Sequence, residues 1–370
     1  MKRMFVMALL VVELLCLLWG CKSRMPLNQC GGSPAPEEMS SQNVSQSGSD
    51  GGEEKPSAAV CMGVVSHPVH RIVQLGFMEA ADDLGYEGHI LGFDESSMQE
   101  LFDCWLQGAE EHDIGGAVCW VGDDSTYEFL KELHGMDVKI VVPHFPHSYE
   151  ETKDFIDVNI CHDGKVTTVK AADYIGQTLR ANGITSGSIG VSANGGCCIS
   201  YEDLDVFREH ITTHYPEYTV LDPVYEGAEM VEARNKVEAY IRDNPDMVAG
   251  YSKTGGGTVA WAAAKELNGR EDILAVGYDY TKKNLDVVSE GGAVALIAQP
   301  LYDEGYTGLE LIDEMLHGKA FNASESLWYQ KLDAPLVYPG GEGVHGAAMY
   351  YDMYARSEAR FGINKQWEGI

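Results

Sequence analysis

The stretch Ala59–Tyr86, AVCMGVVSHPVHRIVQLGFMEAADDLGY, decides the fold. It opens as an apolar, β-like run and stops at the polar turn Ser66-His67-Pro68-Val69-His70. Beyond the turn, apolar residues return at the spacing of an amphipathic helix. Strand, polar turn and helix in that order begin a β-α unit. In an open parallel sheet ligands dock at the carboxyl ends of the strands, so the turn is where a binding loop belongs.

The same rhythm continues outward from this unit. Strands are predicted at Val60–Val65, His89–Phe93, Ala117–Trp120 and Val138–Val142, with helices at Val69–Leu84, Met98–Glu111 and Thr126–His134 between them. A less regular stretch, His144–Asp163, interrupts the pattern. It then resumes with helices at Val166–Asn182, Leu204–Tyr215, Met230–Asn244 and Thr258–Asn268. Strands at Ser188–Val191, Tyr218–Pro223, Met247–Ser252 and Ile273–Gly277 alternate with them. The fold class is therefore α/β: two similar doubly wound lobes built on parallel sheets, with a ligand cleft expected between them.

The 370 residues, 45% of them apolar, suffice for two such cores. A formal charge of −31, with no basic patch or stripe, argues against nucleic acid as a partner.

Lys2 and Arg3 precede an apolar run, Met4–Trp19, broken only by Glu13, which is the layout of a secretory signal and is short for a membrane span. It closes on Leu18-Trp19-Gly20-Cys21, which resembles a bacterial lipobox with Cys21 as the lipid-bearing residue. Ordinary cleavage and an uncleaved anchor are the alternatives. Cys30–Pro56, dense in Ser, Gly, Pro and Glu, lacks the apolar surface to offset its ordering entropy and reads as a tether. Residues 1–21 are thus expected to be a signal and 22–57 a disordered linker, placing the folded body outside the cytoplasm on the cell envelope. Of the nine cysteines, Cys61 and Cys119 fall in predicted buried strands, Cys197 and Cys198 are adjacent, and no CxxC pair occurs. Mostly free thiols are expected.

No phosphate-binding GxxxxGK[ST] loop, GxSxG elbow or HExxH helix is present, so nothing in the chain compels catalysis, and no cofactor or metal is assigned. The candidate ligand contacts cluster at strand ends. His67, His70 and His144 can hydrogen-bond hydroxyls or, alternatively, hold a metal ion. Trp120, Phe145 and Tyr225 offer rings suited to the apolar face of a sugar or to a core. Asp279 follows a strand, where a carboxylate either accepts hydrogen bonds from hydroxyl groups or caps a helix.

In their order, Val64–Tyr86, Ala172–Tyr174, Gly187–Val191, Val206-Phe207, Leu274–Tyr280 and Gly291–Pro300 resemble the type I periplasmic binding proteins, especially the ribose- and galactose-type components of ABC importers. The resemblance runs from about Ala58 to Ala320. It implies two lobes joined by three crossovers, near Asp163, Gln299 and Leu327. The first lobe would then comprise 58–162 and about 300–326, and the second 163–299 and about 327–370, with the tail packing on the second lobe. It also implies a non-enzymatic, monomeric receptor that closes over a small polar solute, most plausibly a sugar, and hands it to an ABC permease. Carried over by position, the contacts are His67 and His70 in place of an Asn-Pro-aromatic-aromatic run, and His144-Phe145 in place of Asp-Arg. Lys253-Thr254 stands near the usual Asn-Asp, the usual Arg falls within Tyr201–Asp203 without a base, and Asp163, Asp279 and Gln299 are retained. Two other readings stay open: a sensor subunit presenting its solute to a membrane receptor, and a secreted metal-dependent hydrolase using the histidines.

Overall fold

A computed structural model describes residues 55–363, apart from 95–96, 123, 194–200 and 228. The signal, Cys21, the linker to residue 54 and the Cys197-Cys198 pair lie outside the described residues.

The first unit forms as its residues dictate. Strand β1 (Ser57–Cys61) is almost wholly buried. Helix α1 (Pro68–Leu84) begins where the His67 side chain accepts a hydrogen bond from the Val69 N–H and Pro68 presets the first helical φ. It ends where Gly85 takes the left-handed conformation, φ 78°, that L side chains resist. Its inner face carries Ile72, Val73, Leu75 and Phe77, all buried; each is worth roughly 1.5–3 kcal/mol when removed from water.

The chain continues through β2 (Glu87–Leu91), α2 (Met98–Glu111), β3 (Ile114–Cys119), α3 (Tyr127–Gly135), β4 (Lys139–Pro143), α4 (Tyr149–Thr152) and β5 (Val158–His162). The second half runs α5 (Gly164–Ala181), β6 (Gly187–Ala193), α6 (Tyr201–His214), β7 (Tyr218–Val220), β8 (Val224–Tyr225), α7 (Met230–Asp243) and β9 (Met247–Ser252). It goes on through α8 (Gly257–Asn268), β10 (Leu274–Tyr278), α9 (Lys282–Ser289) and β11 (Ala295–Ile297). Helices α10 (Leu301–Leu316) and α11 (Glu325–Trp328), strands β12 (Tyr329–Leu332) and β13 (Leu336–Val337), and helix α12 (Ala347–Phe361) complete the described chain.

Two sheets result, ordered β12-β5-β4-β3-β1-β2 and β13-β11-β10-β9-β6-β7, with β8 also pairing β6. The pairings are parallel except for β13, which runs antiparallel to β11 at an edge. Two parallel α/β lobes are present, as the alternation predicts.

Three details differ from the sequence reading. The stretch read as irregular contains β5, disguised by Asn159 and His162. Asn159 is fully buried because its side chain donates to the Val142 and Phe145 carbonyls and accepts from the His147 N–H. The third passage between sheets falls at residues 333–335, not near Leu327, since β12 pairs with β5 in the first sheet. The tail helix α12 touches α1 as well as α9, so it packs on both lobes and not on the second alone.

Cys61 and Cys119 face each other across β1 and β3; these two, Cys104 and Cys161 are buried thiols outside any disulfide. Cys61 and Cys119 pack as small apolar groups, while Cys161 meets the Tyr329 hydroxyl at 2.7 Å; burial raises the Cys61 thiol well above its ordinary value.

Candidate functional site

The carboxyl ends of β1, β3, β4 and β5 supply one wall of rings. After β1 the backbone turns through Val64, at φ 50°. The loop is held by Gln74, which donates to the Val65 carbonyl at 2.9 Å, and by the Ser66 N–H, which donates to Asp94 at 2.7 Å. His70 Nδ1 faces the Gly63 and Val64 carbonyls at 2.9 and 3.0 Å. Carbonyls only accept, so Nδ1 carries the proton and Nε2 is left as an acceptor. Burial lowers the pKa of His70 and takes that of His67 down to about 4, so both are neutral imidazoles near pH 7.

Trp120, beyond β3, joins these histidines to the next loop. Its ring lies 5.2 Å from His70, stacks on His144 at 4.3 Å and meets Phe145 edge-on at 5.9 Å. His144 sits at φ 75°, a left-handed conformation unusual for a side chain this large and one that concentrates at functional sites. Its Nδ1 donates to both oxygens of Glu304, each at 3.2 Å. Glu304 is fully buried in the first turn of α10. Burial alone would lower the His144 pKa; the Glu304 charge and hydrogen bond overcome that and raise it.

The second lobe presents polar groups. Asp279, at the end of β10, is also left-handed, φ 62°. The side chain of Asn284 holds that turn by donating to the carbonyls of Gly255, Tyr278 and Asp279. The Asp279 Oδ1 atom is buried without a partner. Burial pushes its carboxyl up to about 6, with His144 opposing the rise and Glu304 adding to it. Between the lobes, His162 from β5 meets the Tyr278 hydroxyl from β10 at 2.6 Å, while its Nδ1 is buried and unpartnered. Gln299 also reaches the Tyr278 hydroxyl.

Of the expected contacts, His67, His70, Trp120, His144 and Phe145 come together as one chain of rings, and Asp279 faces His144 closely enough for their charges to couple. Three others are committed elsewhere. Asp163 caps α5, accepting from Lys165 and Val166, and pairs with Lys331 at 2.9 Å. Lys253 forms a buried ion pair with Asp203, and burial brings its pKa down to about 8. Thr254 donates to Glu226 at 2.8 Å. Glu226, itself buried, also accepts from Ser192 and Ser252, and Ser192 in turn accepts from the Trp261 ring N–H. Tyr225 lies exposed.

Sequence reasoning passed over Glu304, Glu226 and Asn284. Glu304 had a signal: it falls on the apolar stripe of Leu301, Gly305, Gly308, Leu309 and Ile312, where an acid must be paired to be buried. Glu226 lies in a loop, where no periodicity marks it.

Among the described residues, no three His, Cys, Asp or Glu side chains come together so that they could hold a metal ion. What the strand ends of the two lobes offer is hydrogen-bonding groups and ring faces.

The periplasmic binding protein domain family matches residues 58–320, most of the chain. The chain is a periplasmic binding protein. This periplasmic binding protein is 20% identical to the ribose import binding protein RbsB of Escherichia coli over 269 residues, 73% of this chain and 88% of that one. Its fold is that of AraP, an arabinose-binding protein from Geobacillus stearothermophilus, with a TM-score of 0.68 at 17% identity over 77% of this chain and 97% of that one. A sugar-binding protein of a Bacillus halodurans ABC transporter is similarly related, with a TM-score of 0.68 at 18% identity over 80% and 100% of the two chains. The type I architecture expected from the residues is therefore present.

Proposed function

We propose that the protein captures a neutral monosaccharide between its lobes and delivers it to an ABC permease. The observation that carries this reading is Asp279. A buried carboxylate oxygen without a partner costs free energy until a donor reaches it, and a sugar hydroxyl is such a donor. The rings of Trp120, Phe145 and His70 stand near the same cleft and can cover the apolar face of a pyranose or furanose. The names of relatives support the class, since RbsB is a ribose import protein and AraP binds arabinose.

The mechanism is a population shift: contacts from both lobes favour the closed form, and only their differential affinity moves the hinge. The protein acts as a monomeric, non-catalytic receptor, held at the outer face of the membrane by lipid on Cys21. Calorimetry with pentoses and hexoses tests the ligand class. Saturable binding of at least one, weakened in Asp279→Asn, is expected, and a panel with no binder would sink the sugar reading. Mass spectrometry of the mature N-terminus checks Cys21, and co-purification with a permease checks delivery.

A further inference from the structure

The family match stops at residue 320, yet the described chain continues into the long helix α12. This helix is rooted in the second lobe. It follows β13 of that lobe's sheet, and its Tyr350, Met353 and Tyr354 are buried. The rings of Tyr350 and Tyr354 lie 4.5 and 6.3 Å from Tyr280. Tyr351 donates to Asp286, and Lys282 pairs with Glu358 at 3.1 Å.

Other side chains of the helix, interleaved with Glu358, reach the first lobe by different chemistry. Arg356 pairs with Glu79 on α1 and lies 5.4 Å over the ring of Tyr302, whose hydroxyl donates to the same carboxylate. Arg360 pairs with Asp82 at 2.7 Å, and Arg71 lies 4.8 Å from the centre of the Phe361 ring. The second-lobe attachment centres on buried rings, with the partly exposed Lys282–Glu358 pair beside them; α12 also packs on α1, and the arginine pairs at that contact are partly exposed: 39% for Arg356, 25% for Glu79, 30% for Arg360 and 63% for Asp82. Ion pairs in contact with solvent are weak and are screened by salt, so the arginine pairs are the part of the first-lobe attachment that salt or substitution loosens.

We propose that α12 is a strap, anchored on the second lobe, whose arginines latch onto α1 and hold the two lobes together before a solute arrives. Parting the lobes has to break one of the two attachments, and the arginine pairs are the exposed, salt-sensitive part of the first-lobe one. Each pair contributes little alone, but together they bias the balance of open and closed forms, and a receptor biased toward closure needs less of its ligand's binding energy to close. This inference rests on the bilobed fold and not on the identity of the solute.

The test uses ligand-free full-length protein and small-angle scattering. At low salt the wild type is expected to be compact, and Arg356→Ala/Arg360→Ala to show a larger radius of gyration with unchanged circular dichroism. High salt is expected to move the wild type toward the variant. Lys282→Ala, which breaks a pair inside the second lobe, should leave the radius where it was. Should the double variant fail to fold, the exchange Arg360→Asp with Asp82→Arg serves instead: Arg360→Asp alone expands the molecule and the exchanged pair restores it. Equal radii for wild type and folded variants at both salt concentrations would overturn the strap. Because no sugar is added, that result is separate from any failure of the sugar reading.

Discussion

His144 and Glu304, 160 residues apart in sequence, form a buried pair in which one imidazole N–H is shared by both carboxylate oxygens at 3.2 Å. The pair explains how an acid can be fully buried in the first turn of α10 and how a histidine can stand against Trp120 at a fixed angle.

This pair makes stability depend on pH in a defined direction. The folded-state pKa of His144 is raised, so its contribution is complete below about pH 6.5, the unfolded value, and is lost as pH climbs through the raised value. Glu304→Gln removes the charge that sustains it. Urea unfolding should show a loss of about 3 kcal/mol at pH 6 and a flatter profile from pH 6 to 9. An unchanged profile would mean that the pair does not titrate with folding.

If the sugar reading holds, Asp279 should govern ligand binding with the opposite sense. Its carboxyl titrates at about 6, and only the ionised form accepts from two hydroxyls without offering a proton of its own. Affinity for the solute should fall by about tenfold between pH 7 and pH 5. Asp279→Asn should bind about tenfold or more weakly at pH 7 and lose most of that dependence. Titration calorimetry at both pH values reads the two effects.

The buried neutral histidines predict acid sensitivity. His67 and His162 titrate at about 4 and about 3 in the folded protein, depressed by burial, so below pH 6.5 the unfolded chain takes up protons that the folded one refuses. Each costs up to about 1.4 kcal/mol per pH unit over that window. Asp279, with its raised pKa, works against this below about pH 6, so the comparison is between variant and wild type. His162→Gln should show a shallower fall in urea midpoint from pH 7 to 5; parallel slopes would contradict the assignment.

Backbone contact between α1 and α10 gives a prediction about packing. A Cβ on Gly76 would lie 2.0 Å from the Tyr302 carbonyl oxygen, and one on Gly305 would lie 2.0 Å from that of Val73. Neither backbone can yield without separating the helices. Gly76→Ala should therefore cost about 3 kcal/mol or more. Gly85→Ala, at φ 78° with open space around it, should cost only about 1 kcal/mol for the left-handed backbone. Thermal melts of the two variants give the ranking.

Much of the fold was legible before any coordinates. Met98–Glu111 and Met247–Ser252 occupy the spans their periodicity indicates, and most other elements fall within a few residues of expectation. Strand β5 was hidden because Asn159 interrupts its apolar pattern, and only the carbonyls of neighbouring loops show how that amide is satisfied. At the site, His67, His70, Trp120, His144 and Asp279 could be placed at strand ends from local pattern. That Lys253 is spent on Asp203, and Thr254 on Glu226, could not, because a side chain's partner is chosen by chain segments far away.

The residues by themselves determined two lobes of alternating strands and helices, the turn at Ser66–His70, and membership of a hinged binding family. Those properties are written in short windows, where a period of two or of 3.6 fixes which face is apolar. Only the tertiary structure decided that Glu304 pairs with His144 and raises its pKa, that Asp279 keeps an unpartnered oxygen, and that α12 spans both lobes. Such facts depend on which strand ends the two sheets bring together and how much water they exclude, and neither quantity is local to any stretch of chain.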